Sequence, residues 1–168
     1  MTGLVAASQS EGRDKTERPS SAANEGALRV VEAILFLPGD APRFLMLRRS
    51  RERGGWWQGV TGTAEPGESL KDAARREVAE ETGVTSPARM IDLDFAFHFE
   101  LSRYGGGRTV NAVKHSFGVQ VDDEQVKLSD EHDSSVWVGF EDALRLLTWE
   151  DNKEALRRLR AILDLERG

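Results

Sequence analysis

Hydrophobic residues recur with two periods along this chain, and the points where one gives way to the other outline its elements. From Leu28 the texture is that of a strand: residues 29–37 (RVVEAILFL) are β-branched and apolar and stop at Pro38, Gly39 and Asp40. A second apolar run at 44–48 predicts a hairpin across the loop 38–42. A loop at 50–55 leads into residues 56–62 (WWQGVTG), a Pro66-Gly67 turn follows, and helical spacing then runs over 69–82. Residues 90–101 and 109–121 read as strands joined by the glycine-rich stretch 104–108, which suits a hairpin connection. A short strand at 136–138, a short helix at 140–147 and an amphipathic helix at 152–165 complete the chain, the last with Leu156, Leu159, Ile162 and Leu163 on one face. Strands on either side of a central helix, with more helix at the end, predict an α/β domain in which a mixed β-sheet is sandwiched between α-helices. No internal repeat appears.

Residues 1–26 carry neither period and are rich in Ser, Ala, Gly and charge, so the expectation is a mobile tail followed by one domain over 27–168. Leu4 and Val5 leave a structural alternative, an arm paired with a neighbouring subunit's sheet edge, and a homodimer is among the expected assemblies. No apolar run approaches the roughly 18 residues of a membrane span, and the first 26 residues lack the hydrophobic segment of a secretory signal, so a soluble, cytoplasmic protein with no membrane partner is expected. The absence of cysteine excludes disulfides, thiolate metal sites and cysteine nucleophiles together. Twenty-nine acidic against 23 basic residues give a net charge of −6, which argues against nucleic acid as a partner. An anionic substrate would need a cation to mediate its binding.

The predicted helix at 69–82 is the most informative segment. Ser69 is a good N-cap with Asp72 three residues on, and Gly83 suits the left-handed residue that ends a helix. At about 100° per residue, Leu70, Ala73, Ala74, Glu77 and Glu81 share one arc, with Glu80 beside it. The apolar stripe thus turns into carboxylates midway. Like charges brought together raise one another's pKa, and a hard divalent cation removes the conflict; oxygen ligands favour magnesium or manganese. Arg76 reaches Glu80 at i+4 and can orient it. Taken alone, Glu80, Glu81 and Arg76 would be an ordinary solvated, salt-bridged face. The joint spacing is what argues for chemistry.

Gly62, five residues, Glu68, seven residues, Arg76-Glu77, Val78, one residue, Glu80-Glu81, one residue, Gly83 and Val84 fill every defining position of the signature of the Nudix hydrolases. The order of strands and helices from Leu28 onward also resembles that fold. The resemblance implies metal-dependent hydrolysis of a nucleoside diphosphate linked to another group. By position, Glu77, Glu80 and Glu81 would be metal ligands or water-activating carboxylates, Arg76 would orient them, Glu68 would brace the loop, and Gly62 would let backbone approach metal or phosphate closely. Looser likenesses around Arg48, residues 57–62, Glu131-His132, residues 136–138 and Trp149 resemble the subgroup containing dihydroneopterin triphosphate pyrophosphatase and related nucleoside triphosphate pyrophosphohydrolases.

Glu131, just before a predicted strand, is the candidate for a further carboxylate from a loop, as metal ligand or as base for water; its plain alternative is a loop charge. Arg48 and Arg49 are candidate phosphate contacts, since guanidinium offers a two-pronged donor, and are otherwise strand-end charges. Trp56 or Trp57 is a candidate stacking wall, with at least one expected in the core. His132 and His115 are candidate substrate contacts, His98 is expected to be structural, and Arg103, Tyr104 and Arg108 are candidates to close over a ligand. The expected reaction is in-line attack on phosphorus by a water that Mg²⁺ acidifies and that Glu77, Glu80 or Glu131 deprotonates, on a small nucleoside polyphosphate. Alternatives are an ADP-ribose or nucleotide-sugar pyrophosphatase and a noncatalytic nucleotide-sensing module.

Overall fold

A computed structural model describes residues 26–102 and 109–168. The predicted tail, with Leu4 and Val5, and the candidates Arg103, Tyr104 and Arg108 lie outside the described residues. Seven strands form one sheet: β1 (Leu28–Leu37), β2 (Arg43–Arg49), β3 (Trp57–Gln58), β4 (Val60–Thr63), β5 (Arg89–Ser102), β6 (Thr109–Gln120) and β7 (His132–Val138). Three helices accompany them: α1 (Leu70–Thr82), α2 (Phe140–Leu146) and α3 (Glu150–Arg167). The sheet runs β3-β2-β1-β6-β5, with β4 added to β1 and β7 to β2. Among the described strands β1 and β6 pair in parallel and the other strand pairs are antiparallel, so the sheet is mixed as expected; an isolated parallel bridge also joins Trp57 to Leu147.

The β1–β2 hairpin is real but short. Only Phe36–Phe44 and Leu37–Arg43 pair before the strands splay, and the segment from Trp57 to Thr63 fills the opening, β3 against β2 and β4 against the first half of β1. That wedge sets Thr61 and Gly62 beside α1.

Alternation along the strands sorts side chains into two layers. Val31, Ala33 and Leu35 of β1 pack with Leu45, Leu47, Val60, Val119 and the Ala73, Ala74 and Val78 stripe of α1. Ile34 and Phe36, with Phe44 and Met46, face the other way onto Leu156, Leu159 and Leu163 of α3 and Ala143 of α2. The helical stripe read at the C-terminus is therefore the inner face of α3. Its Ile162 is only partly buried, packed at the margin. α3 starts earlier and ends later than predicted, because Glu150, Asp151 and Arg167 are polar positions that the apolar period cannot register.

Candidate active site

The helix α1 begins and ends as its sequence requires. Ser69 Oγ accepts from the Asp72 backbone N–H at 3.1 Å, and Gly83 closes the C-terminus in the left-handed conformation at φ 75°. The loop entering it is tied from both sides. Arg76 donates to both carboxylate oxygens of Glu68, at 2.9 and 3.0 Å, and to the Thr63 carbonyl at 3.0 Å. Arg29 of β1 donates to the carbonyls of Glu65 and Glu68. The guanidinium beside Glu68 pulls its carboxyl down to about 2. Glu68 thus joins loop to helix, the bracing that the resemblance implied.

Arg76 also donates to Glu77 Oε1 at 2.8 Å, while Glu80 lies 3.5 Å from it. Its main partners are therefore Glu68 and Glu77, and the expected i+4 pair is the looser one. Gly62 explains how Glu77 fits: a Cβ on Gly62 would lie 2.0 Å from Glu77 Cδ, so any larger residue would occupy the space of that carboxylate. Burial is the main influence on Glu77 and raises its pKa.

Glu81 sits deeper. Its side chain is buried, its Oε2 has no hydrogen-bond partner, and its pKa is pushed up to about 9, by burial first and then by Glu131 and Glu77. Glu131 arrives from the loop before β7, where Ser50 N–H donates to its carbonyl and Arg53 lies 3.5 Å from its carboxylate. Arg49, buried on β2, is the cation on this side of the sheet whose charge acts on both Glu131 and Glu81, and it also lies over the Trp56 ring.

Other candidates fall elsewhere. Glu80 points outward, its side chain 58% exposed. Among the described residues no three acidic or histidine groups meet at a point suited to a cation, so the carboxylates line one edge of α1 without converging. Arg48 pairs with Asp133 at 2.7 Å and covers Trp57, and Trp57 packs on the core layer beneath α3. Arg48 and Trp57 thus belong with the layer beneath α3, whereas Arg49, past an irregularity in the β2–β7 pairing between the two arginines, is the one whose charge acts on Glu81. His132 is enclosed beneath the carboxylates, with its Nδ1 4.0 Å from Glu81 Oε2, and does not reach the surface. His115 is half-buried on β6, and His98, expected to be structural, is exposed on the edge strand β5.

The chemistry of these donors, all oxygen, suits an oxygen-preferring divalent cation, although the carboxylates do not converge on one point. Among the described residues a buried carboxylate oxygen stands without a partner, two further carboxylates raise its proton affinity, and the glycine lets the Glu77 carboxylate lie directly against the backbone.

One polar group went unread in the sequence. On the opposite face, buried Glu32 accepts from Ser116 Oγ and Asn152 Nδ2, each at 2.9 Å, while Lys114 contacts Asp151 and lies 3.6 Å from Glu32. A single Glu in the apolar run 29–37 was the available signal.

Comparison with known proteins places this geometry. The NUDIX domain family model matches residues 28–159. The octanoyltransferase of Myxococcus xanthus is 40% identical over 130 residues, covering 77% of this chain; the chain spans only 35% of that protein's length. The dihydroneopterin triphosphate diphosphatase of Haemophilus influenzae is 30% identical over 132 residues, covering 74% of this chain and 83% of the relative. The crystal structure of a NUDIX hydrolase from Listeria monocytogenes superposes with a TM-score of 0.71 at 29% identity, covering 82% of this chain and 94% of that one.

Proposed function

This chain belongs to the NUDIX domain family, and from that premise we propose that it hydrolyses a diphosphate linkage in a nucleoside triphosphate or related nucleoside diphosphate derivative, with Mg²⁺ or Mn²⁺ as cofactor. One observation carries the reading: Glu81 is buried with an unpartnered oxygen and has Glu77 and Glu131 close enough to raise its proton affinity. A carboxylate in that state is costly unless something shares its charge.

In this reading Glu77, Glu81 and Glu131, with the backbone at Gly62, would hold the cation, and Glu80 would join them by turning in from its exposed position. When bound it neutralises polyphosphate charge and acidifies a water molecule. The remaining work falls to the chain's own residues. Glu131, on a loop and partly open to solvent, takes the proton from the attacking water, with Glu77 or Glu80 as the alternative acceptor. Arg76 holds Glu77 and the loop carbonyl of Thr63 in fixed relation. Arg49 offers positive charge on the same side as the carboxylates, which makes it a better phosphate contact than Arg48. The enclosed His132 takes no direct substrate contact in this reading, and Trp57, the candidate stacking wall, is half-buried against the α3 layer away from the carboxylates.

Among the described residues no helix is long and apolar enough to cross a membrane, and a cytoplasmic site of action is part of the proposal. The test is phosphate and pyrophosphate release from nucleoside triphosphates, dihydroneopterin triphosphate, ADP-ribose, a sugar nucleotide and a dinucleoside tetraphosphate, with Mg²⁺ or with chelator. Turnover of triphosphates only with the cation is the expected result. A preference for ADP-ribose would replace this reading with the nucleotide-sugar one. Binding without turnover would make the chain a sensing module.

A further inference from the structure

Two buried groups that lack partners face each other behind the carboxylate edge. Among the described residues neither ring nitrogen of His132 has a hydrogen-bond partner, nor does Glu81 Oε2, and His132 Nδ1 lies 4.0 Å from that oxygen. The imidazole is wholly enclosed and the Glu81 side chain nearly so. A buried polar atom left unpaired is costly, so two of them opposed define an interaction that a movement of roughly 1 Å would complete. The backbone already holds the two elements in register. Lys127 N–H donates to the Thr82 carbonyl at 2.8 Å, Ser129 N–H to that of Glu81 at 3.4 Å, and His132 N–H to that of Ser129 at 3.3 Å. The turn before β7 is therefore stitched to the last turn of α1.

We propose that His132 is a positioning residue for Glu81, its Nδ1–H donating to Oε2 so that the carboxylate keeps one orientation along the edge of α1. The inference rests on the proposed role of Glu81 in cation binding. Its chemistry is that of an imidazole with one N–H, which commits the donor to the nitrogen facing a carboxylate. Arg49 and Arg53 add positive charge around the ring and Glu131 and Asp133 negative charge, while the ring itself is wholly enclosed. A carboxylate oxygen has two acceptor positions, so with one on Oε2 taken by His132 the other stays available to a ligand, while the Thr61 backbone hydrogen bond also reaches the carboxylate.

Two measurements on the full chain test this. Nitrogen-15 NMR of the wild-type protein, with Mg²⁺ bound or cation-free above about pH 9 so that Glu81 is ionised, reads which ring nitrogen of His132 carries the proton; Nδ1–H is expected, and an Nε2–H tautomer overturns the proposal. Manganese titration, followed by the electron paramagnetic resonance of free Mn²⁺ without nucleotide, then compares His132→Leu with His132→Asn, which restores a donor near the Nδ1 position. The Leu variant is expected to bind Mn²⁺ about 10-fold more weakly and the Asn variant within about 3-fold of wild type. Equal losses in both variants, or none in the Leu variant, would overturn the positioning role. If the wild type itself takes up no Mn²⁺, the cation reading fails, while the tautomer still decides whether His132 serves Glu81.

Discussion

Glu81 concentrates the chemistry of the site into one side chain, because burial and two neighbouring carboxylates act on it in the same direction. Its pKa, near 9 against an ordinary 4.5, means that the cation-free folded protein binds a proton that the unfolded chain releases. The sign follows from linkage: stability from this group is fully present below about pH 4.5 and is lost as pH rises toward 9. Thermal melts of the wild type in chelator should therefore fall across that window. In Glu81→Gln the slope should flatten, and added Mg²⁺ should restore wild-type stability on the alkaline side but do little for the variant. The same substitution should lower turnover about 10²- to 10⁴-fold while leaving the circular dichroism spectrum unchanged. Near-normal turnover with magnesium would contradict the assignment.

The helix α1 and the wedge beside it convert local rules into a placed edge. Ser69 supplies the first turn with its acceptor, so Ser69→Ala should cost about 1 kcal/mol and lower the melting temperature by roughly 2–4 °C, with activity at 25 °C preserved. Gly62 acts differently. The atoms that an added Cβ would meet are the end of the Glu77 side chain, which can swing aside, so Gly62→Ala should remain folded with a stability loss of about 1–3 kcal/mol. Displacing Glu77 from Arg76 should nevertheless reduce turnover about 100-fold, since small misplacements of reacting groups are that costly. An Ala variant with intact turnover would show that Glu77 is not held where the reaction needs it.

At the scale of the molecule, the sheet separates two buried polar systems. The carboxylate edge of α1 occupies one face; Glu32, Lys114, Asp151, Asn152 and Ser116 join β1, β6 and α3 on the other. Burial alone would depress the Lys114 pKa, but Glu32 and Asp151 outweigh it and the net shift is upward. Desolvation pushes Glu32 up despite that ammonium. Removing the cation strands two acids, so Lys114→Met should cost about 3–5 kcal/mol in urea unfolding. Adding Glu32→Gln should recover part of that loss, because the two sites share one network.

Local rules made α1 legible in advance: a cap, a glycine stop and an apolar arc are all encoded within 15 residues of one another, from Ser69 to Gly83. The strands and the mixed sheet between helices were legible for the same reason, since periods of two and of 3.6 are properties of neighbouring residues. The family resemblance also rested on one contiguous segment. What tertiary structure alone decided was which face each side chain serves. Arg48 and Arg49 are adjacent in sequence yet lie on opposite sides of the sheet, and His132 lies beneath Glu81 through tethers from Lys127 to Thr82 and from Ser129 to Glu81, far apart in sequence. Glu32 met Asn152 across 120 residues. Such pairings depend on strand register and on how β1 and β2 splay, and neither is written in any local period.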